Sequence, residues 1–251
     1  MANDRHGADH QRLLTGIGTA CTSLLRPIYE FVFPPVCAGC GSLFDSGESV
    51  VCPLCWSLLT TIDDDDPLFL RTYSTLISEG GIHGLFSLYH FEQNGTLQTL
   101  VHHLKYGGMT SLGVEFGRRL GDVLQETLDQ QAISFILPVP LHRARKRERG
   151  YNQNDYVCQG ISRSTGIPVL TNVLERRRYT VSQTALNKLE RKENVNGAFG
   201  VRPSPGSALD GGTVLLVDDV ITTGATIGAC GRALIGAGAA RVIAASIALA
   251  E

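Results

Sequence analysis

Val214, Leu215, Leu216 and Val217 form an unbroken apolar run that passes straight into Asp218, Asp219 and the turn Thr222, Thr223, Gly224, Ala225, Thr226. A strand without polar alternation leaves no face for water, so it must be covered on both sides. Ala225 to Ile235 then carries helical spacing closed by Gly236 and Gly238, and Val242 to Leu249 is a second apolar strand. Strand, helix of about three turns and strand make a right-handed βαβ unit. The main domain is therefore expected to be α/β, with a mostly parallel sheet flanked by helices.

The rest of the chain supplies further elements. Gly81 to Phe91 reads as a strand or hairpin, and Leu97, Leu100, Val101 and Leu104 recur at helical spacing until Lys105, Tyr106, Gly107 and Gly108. A second helical pattern runs from Leu112 to Leu128, Phe135 to Val139 reads as a buried strand closed by prolines, and Val157 to Ile161 belongs to a further helix. The divisions expected are an N-terminal helical segment (1–33), a four-cysteine module (34–62), an acidic linker around Asp63 to Asp66 (63–80) and the main α/β domain (81–251). With 43% hydrophobic and 18% charged residues, disorder as the main state is excluded. No apolar run approaches the ~20 residues that span a bilayer, and the polar start lacks a secretory h-region. The expectation is a cytoplasmic protein without membrane insertion.

The turn after the apolar strand has a specific chemistry. Backbone N–H groups of Thr222 to Thr226 lie at a helix start, where the macrodipole is positive, so an anion binds there without a lysine. The hydroxyls of Thr222, Thr223 and Thr226 add donors, and Gly224 lets the backbone approach the anion closely. Asp218 and Asp219 suit vicinal hydroxyls of a sugar. A ribose 5-phosphate fits both halves, with phosphate in the turn and ribose on the aspartates. Taken alone, an Asp/Thr helix start is an ordinary cap; the adjacent carboxylates and the Thr-Thr-Gly-Ala-Thr run make the combination specific.

Cys37 and Cys40 form one C-x2-C pair and Cys52 and Cys55 another, eleven residues apart. Four thiolates so spaced close a tetrahedral structural Zn2+ site with no open position. The segment lacks the strand and helix of a redox C-x-x-C motif. Cys21, Cys158 and Cys230 read as small buried hydrophobes. The net charge is −2, yet 142–192 holds 12 of the 22 Lys and Arg and four acidic groups, a local +8 against −10 elsewhere. Such a segment attracts phosphate, whether of a small ligand or of a nucleic-acid backbone.

The acidic-pair turn resembles the phosphoribosyl pyrophosphate (PRPP) signature of type I phosphoribosyltransferases. From Phe33-Pro34 and the cysteine pairs the likeness continues through Leu104-Lys105-Tyr106-Gly107, Pro138-Val139-Pro140-Leu141 and Arg149-Gly150-Tyr151-Asn152-Gln153. It then takes in Gln183, Arg191, Asn194-Val195 and Gly197-Ala198-Phe199, in the order found in the competence-related ComF family. That resemblance implies a type I phosphoribosyltransferase-like fold with an N-terminal zinc ribbon, PRPP as ligand and Mg2+ bound with it. It implies ribose binding and a catalytic role for Asp218 and Asp219, the 5-phosphate on Thr222 to Thr226, and pyrophosphate near Pro138 to Leu141. Arg143, Arg145, Arg149, Arg178 and Arg191 would serve as the basic groups on the pyrophosphate. If the chain is an enzyme, it is a pentosyl transferase with an unidentified acceptor. The alternative is a competence factor that binds single-stranded DNA, keeps a non-catalytic or regulatory PRPP pocket, and meets other competence proteins.

Overall fold

A computed structural model describes residues 35–44, 49–127, 133–176, 198–202, 209 and 211–251. The helical segment expected over 1–33 lies outside them, as do Cys21, Arg178, Gln183 and Arg191. Two compact units divide the chain, Met1–Cys52 and Pro53–Glu251.

In the first unit, Val36 bridges Leu43 antiparallel and Ala38 donates to the Val50 carbonyl, closing a small turn around Cys37 and Cys40. The second unit runs α1 (Pro53–Ser57), α2 (Pro67–Ser78), β1 (Gly84–His90), α3 (Thr96–Tyr106), α4 (Thr110–Thr127), β2 (Phe135–Pro138), α5 (Arg143–Arg149) and α6 (Gln153–Thr165). It continues with β3 (Leu174–Arg176), β4 (Phe199–Val201), β5 (Thr213–Ile221), α7 (Ala225–Gly236) and β6 (Arg241–Leu249). Four strands pair in the order β1-β6-β5-β2, all parallel, while β3 and β4 form a separate antiparallel pair. The central strands are buried as their composition requires: Val214 to Val217 and every β6 residue after Arg241 are inaccessible to solvent or nearly so. Among the described residues no helix is long and apolar enough to cross a membrane.

Three expectations change. Residues 63–80, read as an acidic linker, contain α2. Pro67 opens that helix, and the Asp66 side chain accepts from the amides of Leu68 (2.7 Å) and Phe69 (3.3 Å), so one residue of the acid run is a cap. Leu76, fully buried, anchors the helix to the core. Residues 53–62, assigned to the cysteine module, belong to the larger unit. Trp56 meets Phe116 edge-on at 5.2 Å, and Thr61 bridges Tyr89 of β1. The apolar strand also does not end at the aspartates: β5 stays paired with β6 as far as Ile221, so Asp218 and Asp219 project from within a strand.

Behind the sheet edge, α4 and α6 cross at glycines. A Cβ on Gly117 would fall 2.1 Å from the Val157 carbonyl oxygen, and one on Gly160 2.2 Å from that of Val114. Only hydrogen at both positions allows this approach. The crossing sets the position of the α6 N-terminus, which carries Gln153 and Asn154.

Candidate functional site

At the C-terminal ends of β2, β5 and β6 a cavity of about 340 Å³ opens between the Ile221–Thr226 turn and the Val139–His142 turn. Its size falls within the range of small-ligand pockets. Its position is where ligands bind in open α/β sheets, beyond the strands' carboxyl ends.

The phosphate turn forms one wall. Gly224 is the N-cap of α7 in the left-handed conformation (φ 74°), and a Cβ there would sit 2.6 Å from Leu76 Cδ2. Glycine is thus required for both backbone shape and space. The amide of Gly228 closes the first helical turn on the Gly224 carbonyl, and the Thr223 hydroxyl accepts from the Ala225 amide at 3.5 Å. Thr222 is exposed, with Thr223 and Thr226 partly so.

The two aspartates are not equivalent. Asp219 is 5% exposed and its oxygens are engaged. Oδ2 lies 2.9 Å from Lys105 Nζ and accepts from Gln153 Nε2 at 2.8 Å, while Oδ1 accepts from the Val220 amide at 2.7 Å. On Asp218, Oδ1 accepts from Asn154 Nδ2 and from the Asp219 amide, each at 3.0 Å. Burial and the neighbouring Asp219 charge push the Asp218 carboxyl up to about 7. Both oxygens of Asp219 are thus engaged, whereas the contacts described for Asp218 fall on Oδ1 alone.

Those partners come from α3 and α6. Lys105 lies in the last turn of α3, and Asn152 caps α6 by accepting from the Asn154 amide at 3.4 Å. Asn152 and Asn154 both donate to the Val139 carbonyl, at 3.1 and 3.2 Å, so the amide motif clamps the Val139–His142 turn as well as the aspartates. Arg149 donates to Gln153 Oε1 at 2.9 Å and to the Tyr106 hydroxyl at 3.0 Å, with its guanidinium over the Tyr106 ring. Arg149 is held in place before any ligand arrives.

Of the residues singled out from sequence, Asp218, Asp219, Thr222 to Thr226, Arg145 and Arg149 line the cavity. Arg143 does not; it lines a separate hollow behind the Pro138–Leu141 turn. Arg178 and Arg191 lie outside the described residues. Lys105, Gln153, Asn154 and Arg176 also line the cavity. Lys105 and Gln153 stand inside motifs noticed for their family likeness, Arg176 among the basic residues, and Asn154 directly after one of those motifs. A lysine before a Gly-Gly stop and amides at a helix start are the local signals; nothing in their spacing says that they reach the aspartates.

The sulfur atoms of Cys37, Cys40, Cys52 and Cys55 all lie within 4.8 Å of one another. Burial works to raise the Cys37 thiol, but the amides of Cys52, Cys40 and Gly39 together outweigh it and bring the thiol down to about 6. A donor set of four clustered sulfurs, one held toward thiolate by N–H groups, fits Zn2+. Cys158 and Cys230 are fully buried apart from it, and burial pushes both thiols well above the ordinary range, as inert core residues require.

A family model described as phosphoribosyl transferase domain matches residues 108–250. Competence protein F of Haemophilus influenzae is 42% identical over 92 residues, covering 37% of this chain and 40% of that protein. DNA utilization protein YhgH of Escherichia coli K12 is 33% identical over 149 residues, covering 58% of this chain and 64% of that protein. The chain thus spans less than two thirds of the length of either relative. A solved glutamine PRPP amidotransferase from B. subtilis, complexed with ADP and GMP, overlays at TM-score 0.37 and 20% identity, over 58% of this chain and 30% of that one.

Proposed function

The chain belongs to the phosphoribosyl transferase domain family, with competence protein F and DNA utilization protein YhgH as relatives, and from that premise we propose that its cavity binds PRPP. The observation that carries this reading is the pairing of a carboxylate, Asp218, with an anion-binding helix start one turn away, in a cavity whose other rim is basic. The 5-phosphate takes the amides and hydroxyls of Thr222 to Thr226. The ribose hydroxyls donate to Asp218. The pyrophosphate lies toward the Val139–His142 turn, where Arg145, Arg149, Arg176 and Lys105 supply positive charge.

Carboxylate oxygens beside a diphosphate are the hard donors that Mg2+ takes, so Asp218 would share it with the ligand. When bound, Mg2+ neutralises charge on the pyrophosphate. In transfer, the C1–oxygen bond to pyrophosphate breaks with its electron pair leaving on oxygen, and an acceptor forms the new bond to C1. The chain's own contribution is positional and electrostatic. Lys105 and the arginines stabilise the departing charge, Asp218 fixes the ribose, and Gln153 and Asn154 hold the carboxylates in orientation.

The relatives' names favour a role in competence or DNA utilization. They also favour a second reading, binding of single-stranded DNA, for which α5 with five cations in seven residues is the supporting observation. Titration calorimetry with PRPP and Mg2+, followed by pyrophosphate release with candidate bases, tests the first reading. Saturable binding lost in Asp218→Asn supports it, and equal binding by that variant overturns it. Strand binding that weakens steeply with salt supports the second.

A further inference from the structure

The basic helix α5 sorts its cations between two depressions. Arg145 and Arg149, four apart, line the main cavity, whereas Arg143 and Lys146, three apart, line a hollow of about 110 Å³ on the other side of the Pro138–Leu141 turn. Sequence alone treats these residues as one set.

The hollow's other wall is the β3–β4 pair. Arg176, its guanidinium 5.3 Å from the centre of the Phe199 ring, and Arg202 add two more cations, against the carboxylates of Asp155 and Glu175. Glu175 is engaged by Arg202 at 3.3 Å. Among the described residues, neither Arg143 nor Lys146 has a carboxylate within ion-pair distance. At about 110 Å³ the hollow is well below the size of a pocket for a whole small molecule, and suits a single compact group.

From this arrangement we infer that the hollow between α5 and the β3–β4 pair is a second anion site, which takes one phosphate group on Arg143 and Lys146, with Arg176, which also lines the cavity, on the rim that the two depressions share. The Arg143 guanidinium fork and the Lys146 ammonium, with the Arg176 guanidinium on the shared rim, match a tetrahedral oxyanion in a space of that size. The local field agrees. His142, which lines the cavity at the start of α5, is pushed down first by burial and then by Arg176, Arg147 and Arg143, so three guanidinium groups act on this end of the helix. The phosphate group comes either as a free ion or as one link of a nucleic-acid strand lying across α5, and the chemistry of the site is the same.

The test is an amide NMR titration of the full chain with inorganic phosphate. Thr171 and Asn172 report the hollow, and Thr222 to Thr226 report the cavity. The expected result is saturable shifts at Thr171 and Asn172 that survive in Arg145→Gln/Arg149→Gln and in Asp218→Asn, and weaken at least about tenfold in Arg143→Gln/Lys146→Gln. The altered side chains at 143 and 146 are exposed, so unchanged spectra elsewhere establish that this variant is folded. Shifts confined to the cavity amides, or hollow shifts that persist in Arg143→Gln/Lys146→Gln, overturn the inference. Failure of PRPP binding alone does not touch it, because the hollow is read through different amides. A parallel series with oligothymidylate identifies the source. If a strand phosphate sits in the hollow, the salt slope of strand binding falls by about 0.7 for each phosphate that Arg143→Gln/Lys146→Gln no longer neutralises. Saturation by free phosphate with an unchanged slope assigns the site to the free ion.

Discussion

Replacing Gly160 by alanine should destabilise this protein, although alanine is the better helix former by about 1 kcal/mol. Gly160 lies within α6, where it faces the backbone of α4. A Cβ there would stand 2.2 Å from the Val114 carbonyl oxygen, 2.8 Å from the Arg118 amide nitrogen and 2.8 Å from Gly117 Cα. All three partners are backbone, so no side-chain tip can swing away. Restoring ordinary contact requires the helices to part by about 1 Å. Overpacking of this kind costs about 1–3 kcal/mol, and with rigid partners the upper part of that range applies. Net of the propensity gain, the loss is about 1–2 kcal/mol, or about 2–8 °C in Tm for a chain of this size. Calorimetric melting of Gly160→Ala beside Gly236→Ala makes the comparison internal. Gly236 ends α7, is exposed, and its added Cβ would meet nothing within 4 Å, so that variant should melt at or slightly above the parent. Gly117→Ala should behave like Gly160→Ala, and the double variant should lose less than the sum, since one separation relieves both clashes. A Gly160→Ala protein that melts with or above the parent would refute the reasoning. The shift should also reach the site, because α6 carries the 2.8 and 3.0 Å bonds from Gln153 and Asn154 to the aspartates.

Asp218 titrates higher in the folded protein, at about 7, than the ~3.9 of an unfolded aspartate, so the folded state holds the extra proton between those values. Stability should therefore fall as pH rises from about 4 through about 7 and then level off, and Asp218→Asn should remove that part of the slope in denaturant titrations. Lys105→Met should cost about 1.5–3 kcal/mol in urea unfolding by removing a charged partner from Asp219, which would retain Gln153 and the Val220 amide. Arg143→Met, at an exposed position, should fall within about 0.5 kcal/mol of the parent. Metal analysis should find one zinc per chain held by the four sulfurs, lost in Cys52→Ser.

What could be read from the chain alone was whatever is encoded over a few residues. The apolar run at Val214 to Val217, the Thr-Gly start of α7 and the cysteine spacing each express a local rule of burial, capping or ligand reach, and each appears as expected. The cap that turns Asp66 into the start of α2 was equally local, but four consecutive aspartates before a proline read more simply as solvated linker. Tertiary structure decided the rest. Lys105 and Gln153 meet at Asp219 because the last turn of α3 and the first turn of α6 both reach β5, a convergence that no periodicity records. Arg143 parts from Arg145 because a helix turns by about 100° per residue, and the turn after β2 stands between the two sides. The glycines of α4 and α6, which weaken a helix when judged by propensity, are placed where two backbones touch. A local pattern specifies an element and the face it must bury, but which side chains then share a site depends on how the elements pack, and that is decided only by contacts between residues far apart in the chain.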